Sequence, residues 1–350
     1  MTVVVNSPAG YALNTNAGGH AFMVDVDTML VAAGLSRATF TGSYDPAGAS
    51  SQLSYTLGSH SPWLAYNFSD ADQATYPITV WVSVKCVLAG NAAGIGYGNA
   101  VHTPCFRVSE GVDGSGTALG RVVENIVVSD GSVTNSSPPD ECVMLRSAFS
   151  AGSFCRYDAD TLTLIFGANG MRMGGSNSGY QAGPYSALEL HIERRRSPID
   201  GAVQSGYAGM VQPLRSGPGP MFSSRMPGSI ADSTITNTPV VFVRLESSPP
   251  FVSVGNHSRS GGVATTSDVG TPIVAPIYYQ SSDGHPASLA RMFTIPLVSG
   301  ASTGQIMSLD FSGTLRPYLY HALPGSYVSS TAPPLYHQSP ALGFLFEWEP

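Results

Sequence analysis

The sequence predicts an all-β protein made of β-sandwich or jelly-roll-like domains with long irregular loops and extended arms. Apolar and polar residues alternate with a period of two in many short segments, which is the pattern of half-buried strands. Glycine and proline, 39 and 26 of the 350 residues, separate these segments, as in sandwiches of many short strands. Only 11% of the residues are charged and 43% are hydrophobic, which excludes an intrinsically disordered chain and a coiled coil.

The clearest strand spans residues 78–87. Its alternate residues from Ile78 to Cys86 form an apolar face, and the opposite face is mixed. Residues 188–193 alternate more strictly, and we expect their charged side chains to face solvent. The other segments with a strand-like pattern are 2–5, 38–42, 51–57, 63–68, 101–108, 121–129, 161–166, 239–246, 273–279, 291–298, 304–311, 315–320 and 342–348.

Helix signals are confined to two short segments. Asp27 is placed to cap a turn over residues 28–33 that ends at Gly34, and residues 142–149 follow a proline-rich turn. Both segments are shorter than the length at which periodicity separates a helix from a strand. We therefore expect at most two short helices.

Two glycine-rich clusters, 94–98 and 111–116, predict hairpin turns and not phosphate-binding loops. A dinucleotide-binding loop follows a strand and opens a helix, whereas a strand candidate follows each cluster here. Lys85 is the only lysine, so the phosphate-binding motif GxxxxGK[ST] does not occur.

A long segment without alternation divides the chain. Residues 194–239 are rich in proline and glycine, and so long a connection is typical of a linker or a functional loop. We therefore expect an N-terminal β domain over 1–193, an irregular linker or loop over 194–239, and a C-terminal β domain over 240–350. The proline-containing segment 322–341 predicts an extended C-terminal arm.

Carboxylates and histidines lack the spacing of a metal site. The eight histidines are widely separated, and no HExxH pair occurs. Pairs with the spacing Asp-x-Asp could chelate calcium, but two carboxylates are few for such a site, and polar turns and helix caps are the better explanation. We expect no metal and no cofactor. The pairs are Asp25 and Asp27, Asp70 and Asp72, and Asp158 and Asp160.

The cysteines predict buried thiols. No CxxC pair is present, and the first basic residue is Arg37, so the N-terminal residues lack the pattern of a secretory signal. Free thiols are the rule where no export takes place. Two disulfides remain as alternatives, Cys142–Cys155 and Cys86–Cys105.

The residues 194–196 form the densest charge run, and they open the irregular segment. A solvated strand end would explain the run, but arginine is enriched at protein interfaces. We expect residues 194–239 and 322–341 to act as contact arms, because apolar residues on a proline-stiffened backbone lose little entropy on docking. The predicted interface residues are Arg194, Arg195, Arg196, Tyr207, Met221, Phe222, Tyr327 and Tyr336.

Aromatic residues cluster in the first hundred residues and again near the C-terminus. Exposed rings could stack on sugars or anchor an interface. Packing in the core and between strands is the simpler explanation. The residues concerned are Trp63, Tyr66, Phe68, Trp81, Tyr97, Tyr278, Tyr279, Tyr318, Tyr320 and Tyr336.

In composition, in its missing export signal and in its arm-like segments, the chain resembles tailed-bacteriophage virion proteins, which are β-rich and full of Gly, Ser, Thr and Pro. The resemblance implies a non-enzymatic structural part of the tail, baseplate or neck, made in the host cytoplasm and then built into the virion. It implies contacts with other copies of the chain and with other virion proteins, and a host-surface glycan as a further candidate partner. The net charge of −7 argues against direct nucleic-acid binding, and the apolar runs are too short for membrane insertion.

Three alternatives remain open. A carbohydrate-binding or receptor-binding module would place exposed Trp and Tyr rings beside an Asp-x-Asp pair, and a head decoration or fibre protein would share the same composition. A hydrolase would need a cleft in which a histidine meets a carboxylate and a nucleophile, and no GxSxG motif marks such a nucleophile.

Overall fold

The computed structural model describes residues 2–6, 16–43, 45–48, 59–88, 100–120, 122–125, 142–148, 153–158, 160–173, 186–197, 199–213, 275–280, 286–296, 305–310, 313–322 and 342–348. In chain order, the elements are β1 (Thr2–Asn6), α1 (Asn16–Ala33), β2 (Ser36–Arg37), β3 (Leu64–Asn67), β4 (Thr79–Leu88), β5 (Ala100–Ser109), β6 (Val122–Asn125), β7 (Cys142–Ala148), β8 (Ser153–Asp158), β9 (Thr161–Met173), β10 (Ser186–Arg196), β11 (Val203–Pro213), β12 (Ala275–Gln280), β13 (Pro286–Pro296), β14 (Ile306–Asp310), β15 (Leu315–Ala322) and β16 (Leu342–Glu347). This part of the chain is mainly antiparallel β-structure with little helix, which confirms the all-β prediction.

The strands form three sheets. The N-terminal sheet has the order β2-β3-β4-β5-β6, so its strands are neighbours in sequence and in space. The central sheet has the order β1-β8-β9-β10-β11, and β7 also pairs with β9. The C-terminal sheet has the order β12-β13-β16-β15-β14. Every strand pairing that the structure describes is antiparallel.

Most of the predicted strands are confirmed, and the residues 239–246 and 51–57 lie outside the described part. Residues 38–42 are not a strand in the structure, and of the segment 121–129 the structure describes only the part that forms β6. The residues 142–149, considered as a helix, contain β7. The confirmed segments are 2–5, 63–68, 78–87, 101–108, 161–166, 188–193, 273–279, 291–298, 304–311, 315–320 and 342–348.

Helix α1 is much longer than the predicted turn over 28–33. Its buried residues recur at helical spacing, from Phe22 through Val26 to Ala33. Gly34 ends the helix with a φ of 111°, a left-handed conformation that glycine adopts without strain. The amide of Gly34 donates to the Val31 carbonyl at 3.0 Å and the amide of Leu35 donates to the Leu30 carbonyl at 3.1 Å. This pair of bonds is the Schellman ending of a helix.

One apolar core joins the N-terminal sheet, α1 and the central sheet. The three elements contribute, for example, Val80, Phe22 and Leu164, all fully buried. Leu35, next to the helix end, also lies in this core. The residues of β4 that face it are the predicted apolar face, so that prediction is confirmed.

The central sheet is buried on both faces. Along β10, Leu190 and Ile192 enter the apolar core, while the alternate residues His191 and Glu193 point to the opposite face and are also buried. The C-terminal sheet covers that face, since Phe346 contacts His191 and the Arg291 amide donates to Glu193. The expectation that the charges of residues 188–193 face solvent is therefore wrong for His191 and Glu193.

Within the described residues, α1 is the only α-helix, and no helix there has the length and apolarity that crossing a membrane requires.

Candidate functional site

The buried polar face of the central sheet forms the largest set of charged contacts that the structure describes. Strand register aligns Arg156, Thr163 and His191 in one row across β8, β9 and β10. A second row contains Asp158 and Glu193. We call the contacts between this face and the C-terminal sheet the ionic seam; its charged or titratable members are Arg156, Asp158, His191, Glu193, Arg291, Arg316 and Glu347.

The middle of the ionic seam is a chain of side-chain hydrogen bonds. His191 Nε2 donates to Glu193 Oε1 at 2.9 Å, and the Thr163 hydroxyl and His191 Nδ1 share a hydrogen bond of 2.8 Å. The order hydroxyl, imidazole and carboxylate is that of a nucleophile with its base. All three side chains are buried, however, so the hydroxyl faces no cleft from which a substrate could approach. The chain instead fixes the orientation of Glu193.

Glu193 connects the two sheets directly. Its Oε2 accepts a hydrogen bond from the Ala290 amide at 2.7 Å, and its Oε1 accepts one from the Arg291 amide at 2.9 Å. Burial acts to raise the pKa of Glu193, but the hydrogen bonds from His191 and the two amides outweigh it, and the pKa lies below its usual value. The ionised Glu193 carboxylate therefore stabilises the fold fully above the usual pKa of glutamate. This stabilisation is lost as the pH falls through the lowered pKa of Glu193.

Arginine–carboxylate pairs complete the ionic seam. Arg291 of β13 pairs with Asp158 of β8 and lies 3.5 Å from Glu347. Asp158 also accepts from Arg156 at 3.2 Å, and Glu347 accepts from Arg316 at 2.9 Å. The carboxylates of Asp158 and Glu347 are largely buried, whereas Arg291 and Arg316 are partly exposed. Removing the cation beside a largely buried carboxylate leaves its charge uncompensated and destabilises the protein. The contact between the sheets therefore depends on matched charges.

Arg194 forms a second buried cluster on the other face of β10. Its guanidinium donates to Asp70 at 2.7 Å, to Gln73 at 3.2 Å and to the carbonyl of Tyr76. The guanidinium also lies 5.6 Å from the centre of the Phe68 ring. Arg194 thus connects the central sheet to the loop between β3 and β4.

The outer face of the N-terminal sheet carries a cluster of cations and aromatic rings. His60 stacks on Trp63 with ring centres 5.5 Å apart, and the Arg107 guanidinium lies 4.4 Å from the centre of the Trp63 ring. Burial, followed by the positive charges of Lys85 and Arg107, lowers the pKa of His60 to about 4. His60 Nδ1 also lies 3.5 Å from the hydroxyl of Ser83.

The Asp-x-Asp pairs have ordinary structural roles. Asp27 lies within α1, does not cap it, and pairs with Arg37 and Tyr66. Asp70 accepts from Arg194, and Asp160 accepts from Arg196. No group of three or more His, Cys, Asp or Glu side chains in the described ranges is arranged to hold a metal ion.

Three of the four cysteines are buried free thiols, as predicted: Cys86, Cys105 and Cys155. Strand pairing places Cys105 opposite Ser83 on the outer face of the N-terminal sheet, and Cys86 lies on the inner face. The alternative bridge Cys86–Cys105 is therefore wrong. Burial raises the pKa of Cys86 to about 11, which keeps this thiol protonated and unreactive. The side chain of Cys142 lies outside the described residues.

The glycine cluster 111–116 lies in a hairpin loop between β5 and β6, as predicted, with Gly116 at a φ of 83°. The oxygen Oδ1 of Asp113 accepts hydrogen bonds from the amides of Ser115 and Thr117 at 2.9 and 2.8 Å and stabilises this loop. The cluster 94–98 lies outside the described residues.

The predicted interface residues are only partly described. Arg194, Arg195 and Tyr207 are buried within the chain, and the Tyr207 hydroxyl donates to the Val108 carbonyl at 2.9 Å. Arg196 is exposed and pairs with Asp160. The first part of the segment 194–239 is not irregular, because it contains the end of β10, a turn and β11. The remaining predicted residues, Met221, Phe222, Tyr327 and Tyr336, lie outside the described part.

Most of the aromatic side chains that the structure describes are buried, whereas Trp63 is half-buried on the outer face of the N-terminal sheet. Tyr66, Phe68 and Trp81 of the early cluster are buried, as are Tyr318 and Tyr320 of the late one. Their burial agrees with the explanation that these aromatic residues pack in the core and between strands. The residues Tyr97 and Tyr336 lie outside the described part, and so do the side chains of Tyr278 and Tyr279.

Sequence reasoning missed the residues that form the ionic seam. Glu193 and His191 look like the solvent face of an alternating strand, and Arg291 and Glu347 are isolated charges in the sequence. The sequence did contain a signal for this buried face. The successive strands β8, β9 and β10 carry Arg156, Thr163 and His191 at positions where a solvent-facing strand usually has lysine or glutamate. No protein-family model matches this sequence, and no curated protein matches it at a significant level.

Proposed function

We propose that this chain is a non-enzymatic structural component of a virus particle, of the tail, baseplate or neck type, that acts through contacts with its own copies and with other virion proteins. The observation that carries the proposal is that charged side chains between the sheets form ion pairs with each other within the chain. Arg194 pairs with Asp70, and Arg291 pairs with Asp158. A buried pair such as Arg194 with Asp70 and a partly buried one such as Arg291 with Asp158 hold layers in one relative position. This suits a rigid building block assembled in the host cytoplasm.

Exposed apolar side chains at the ends of hairpins supply contact points for assembly. Ile199, in the turn between β10 and β11, is 84% exposed. Leu315 is 68% exposed and Ile306 43% exposed, and both belong to the hairpin of β14 and β15. Strand β14 ends the hydrogen-bonded order of the C-terminal sheet, and such an edge can pair with another chain.

The same proposal includes a sandwich-like packing of the sheets in layers. The N-terminal and central sheets share one apolar core with α1, which is the relation of two sheets in a β-sandwich. The C-terminal sheet then adds a third layer through the ionic seam. A three-layer block of this type offers surfaces on opposite sides for different neighbours in an assembly.

The mass of the native particle, measured by light scattering, tests the proposal. We expect a defined multiple of the chain mass. The substitutions Ile199→Ser and Leu315→Ser should lower that mass, because each removes an exposed apolar contact. Val31→Ser is the matched control, since Val31 is 45% exposed on α1, away from both hairpins. A chain that stays monomeric at every concentration and with other virion proteins overturns the proposal.

The glycan-binding alternative has less support in the described residues. The ring of Trp63 is already contacted by His60 and Arg107, and no Asp-x-Asp pair takes part in this cluster. Binding of a glycan array by the monomeric chain would favour that alternative.

A further inference from the structure

We propose that β14 is an interface between copies, in which the β14 strands of two chains pair antiparallel about a two-fold axis through Ser308. The proposal rests on the oligomeric function proposed above and names the strand, the partner and the register of the contact. The occupant of the edge is a second copy of this protein. A two-fold contact closes on itself, because the same patch serves both subunits.

Strand β14 is an edge strand without the features that usually protect an edge. Natural edge strands are commonly very short, bulged or charged. Strand β2 has two residues, the pairings of β11 and β12 with their neighbours contain register shifts, and β6 carries Glu124. The only side chain of the edge strand β1 that the structure describes is Val4. Strand β14 has five residues in regular register with β15, and its one charged residue, Asp310, is the last.

The backbone of β14 directs alternate groups to the open edge. The Tyr320 amide donates to the Gln305 carbonyl at 2.9 Å, and the register of β14 and β15 places these two residues opposite each other. In an antiparallel pair, every second residue directs its N–H and C=O to the neighbouring strand, and the residues between direct theirs to the other side. The backbone groups of Ile306, Ser308 and Asp310 therefore point away from β15.

These backbone groups select one register. A second β14 strand that runs antiparallel with Ser308 opposite Ser308 places Ile306 opposite Asp310. Each outward-pointing residue then meets an outward-pointing residue of the other copy, and each such pair exchanges two hydrogen bonds. A shift by two residues leaves one outward-pointing residue of each strand outside the pair, and a shift by one turns the side chains to opposite faces. The centred register is therefore the most complete.

The apolar side chains of β14 favour the same register. Met307 and Leu309 are half-buried and pack against the core of the C-terminal sheet around Tyr318, Tyr320 and Leu345. In the centred register, Met307 of one copy lies opposite Leu309 of the other, on the face that carries both cores. Pairing removes more of these side chains from water and joins the two cores, which stabilises the complex.

The charges of the hairpin are compatible with self-pairing. Like charges directly opposite each other destabilise a strand pair, but Ser308, which meets its own copy on the axis, is uncharged. The carboxylate of Asp310 accepts a hydrogen bond from the Gly313 amide at 2.6 Å, and the residue opposite Asp310 in the pair is the apolar Ile306. Two β14 strands therefore approach without repulsion between opposed side chains.

The pairing of two five-residue strands is smaller than a standard interface, which buries about 1,200–2,000 Å². We therefore expect association of the isolated protein to rise with its concentration, and sedimentation velocity over a concentration series measures it.

Substitution of Ser308 tests the register, because this residue meets its own copy. Ser308→Lys and Ser308→Glu each place two like charges directly opposite each other, and each should lose the association that the wild-type chain shows at the same concentration. A mixture of the two variants should regain it as a complex with one chain of each, since unlike charges then meet. Ser308 is exposed, so both variants should keep the circular dichroism spectrum of the wild type.

Ser308→Pro provides a second measurement. The Ser308 N–H points away from β15, so proline removes no hydrogen bond from the hairpin, but it removes a donor from the pairing between copies and should lower the mass of the particle. Ser308→Thr is the matched control, because it keeps the N–H and suits a strand. This variant should associate as the wild type does.

Like-charged variants that associate as the wild type does overturn the β14 pairing, and so does a mixture that stays dissociated. If Ser308→Pro does not fold, the charge variants decide. A wild-type oligomer whose mass is unchanged in Ser308→Pro leaves the building-block function standing and removes this interface. A wild-type chain that is monomeric at every concentration, alone and with other virion proteins, removes both proposals.

Discussion

The two faces of the central sheet are buried by different means. One face joins α1 and the N-terminal sheet through an apolar core that includes Phe22, Val80 and Leu164. The other face meets the C-terminal sheet through the ionic seam around Glu193 and Arg291. Apolar burial is non-directional and proportional to area, whereas buried charges stabilise only when each has its partner in place. One sheet thus has a mainly apolar contact on one side and, on the other, a mixed contact in which Phe346 also lies against His191 and Trp348 against Phe154.

The difference predicts how each interface fails. Loss of apolar volume weakens the shared core as a whole, because the surrounding side chains relax only partly. Loss of one charged residue of the ionic seam should weaken only the contact in which that residue takes part. The variants below are ordered from the largest expected effect to the smallest.

Phe22→Ala should have the largest effect. The side chain is fully buried in the apolar core, and removing it should lower the free energy of unfolding by about 3–5 kcal/mol. Val31→Ala is the matched control, because Val31 lies on the same helix and is exposed; it should cost less than about 0.5 kcal/mol. Urea unfolding measures both. Equal losses in the two variants would mean that α1 is not part of the core.

Glu193→Gln should have a smaller effect that is confined to the ionic seam. The amide keeps the size of the side chain but presents an N–H group to at least one of the donors His191, Ala290 and Arg291. An unsatisfied buried donor costs about 1–3 kcal/mol. In a background with Trp63→Phe and Trp81→Phe, Trp348 is the only tryptophan. Its emission should shift to the red, because it contacts Phe154 across the seam.

The exposed Asp45 provides the control for Glu193→Gln. Asp45→Asn removes a carboxylate charge far from the ionic seam in the fold, so Trp348 emission should not change. A red shift in both variants would show that overall charge, and not the contact to β13, controls the docking of the C-terminal sheet.

The smallest effect concerns His60 on the outer face of the N-terminal sheet. Its pKa of about 4 lies below the usual 6.5, so the unfolded chain binds the proton first as the pH falls. The free energy of unfolding should therefore decrease as the pH falls from 6.5 to about 4. The variant His60→Gln should show a smaller decrease over the same range. Titration of the His60 ring by NMR should give a pKa of about 4, and Lys85→Met should raise it. An unchanged pKa in that variant would contradict the role of the Lys85 charge.

Alternation along the strands could be recognised from the sequence because it follows directly from the backbone geometry of a strand. The alternate residues from Ile78 to Val84 enter the core as their period of two requires. The free thiols of Cys86, Cys105 and Cys155 were also predicted, since the sequence has no CxxC pair. Helix α1 was underestimated, since Gly18 and Gly19 in its first turns disguised a helical spacing that continues to Ala33.

What the sequence by itself determined is which residues form strands, where most turns lie and which face of β4 is apolar, because these depend on neighbouring residues. Only the tertiary structure decided what covers the second face of each strand. Glu193 and His191 have the pattern of a solvent face, yet the C-terminal sheet, which begins at Ala275, buries them. A charge is placed there because Arg291 and the amide of Ala290 arrive from far along the chain, and a local pattern carries no information about such a partner.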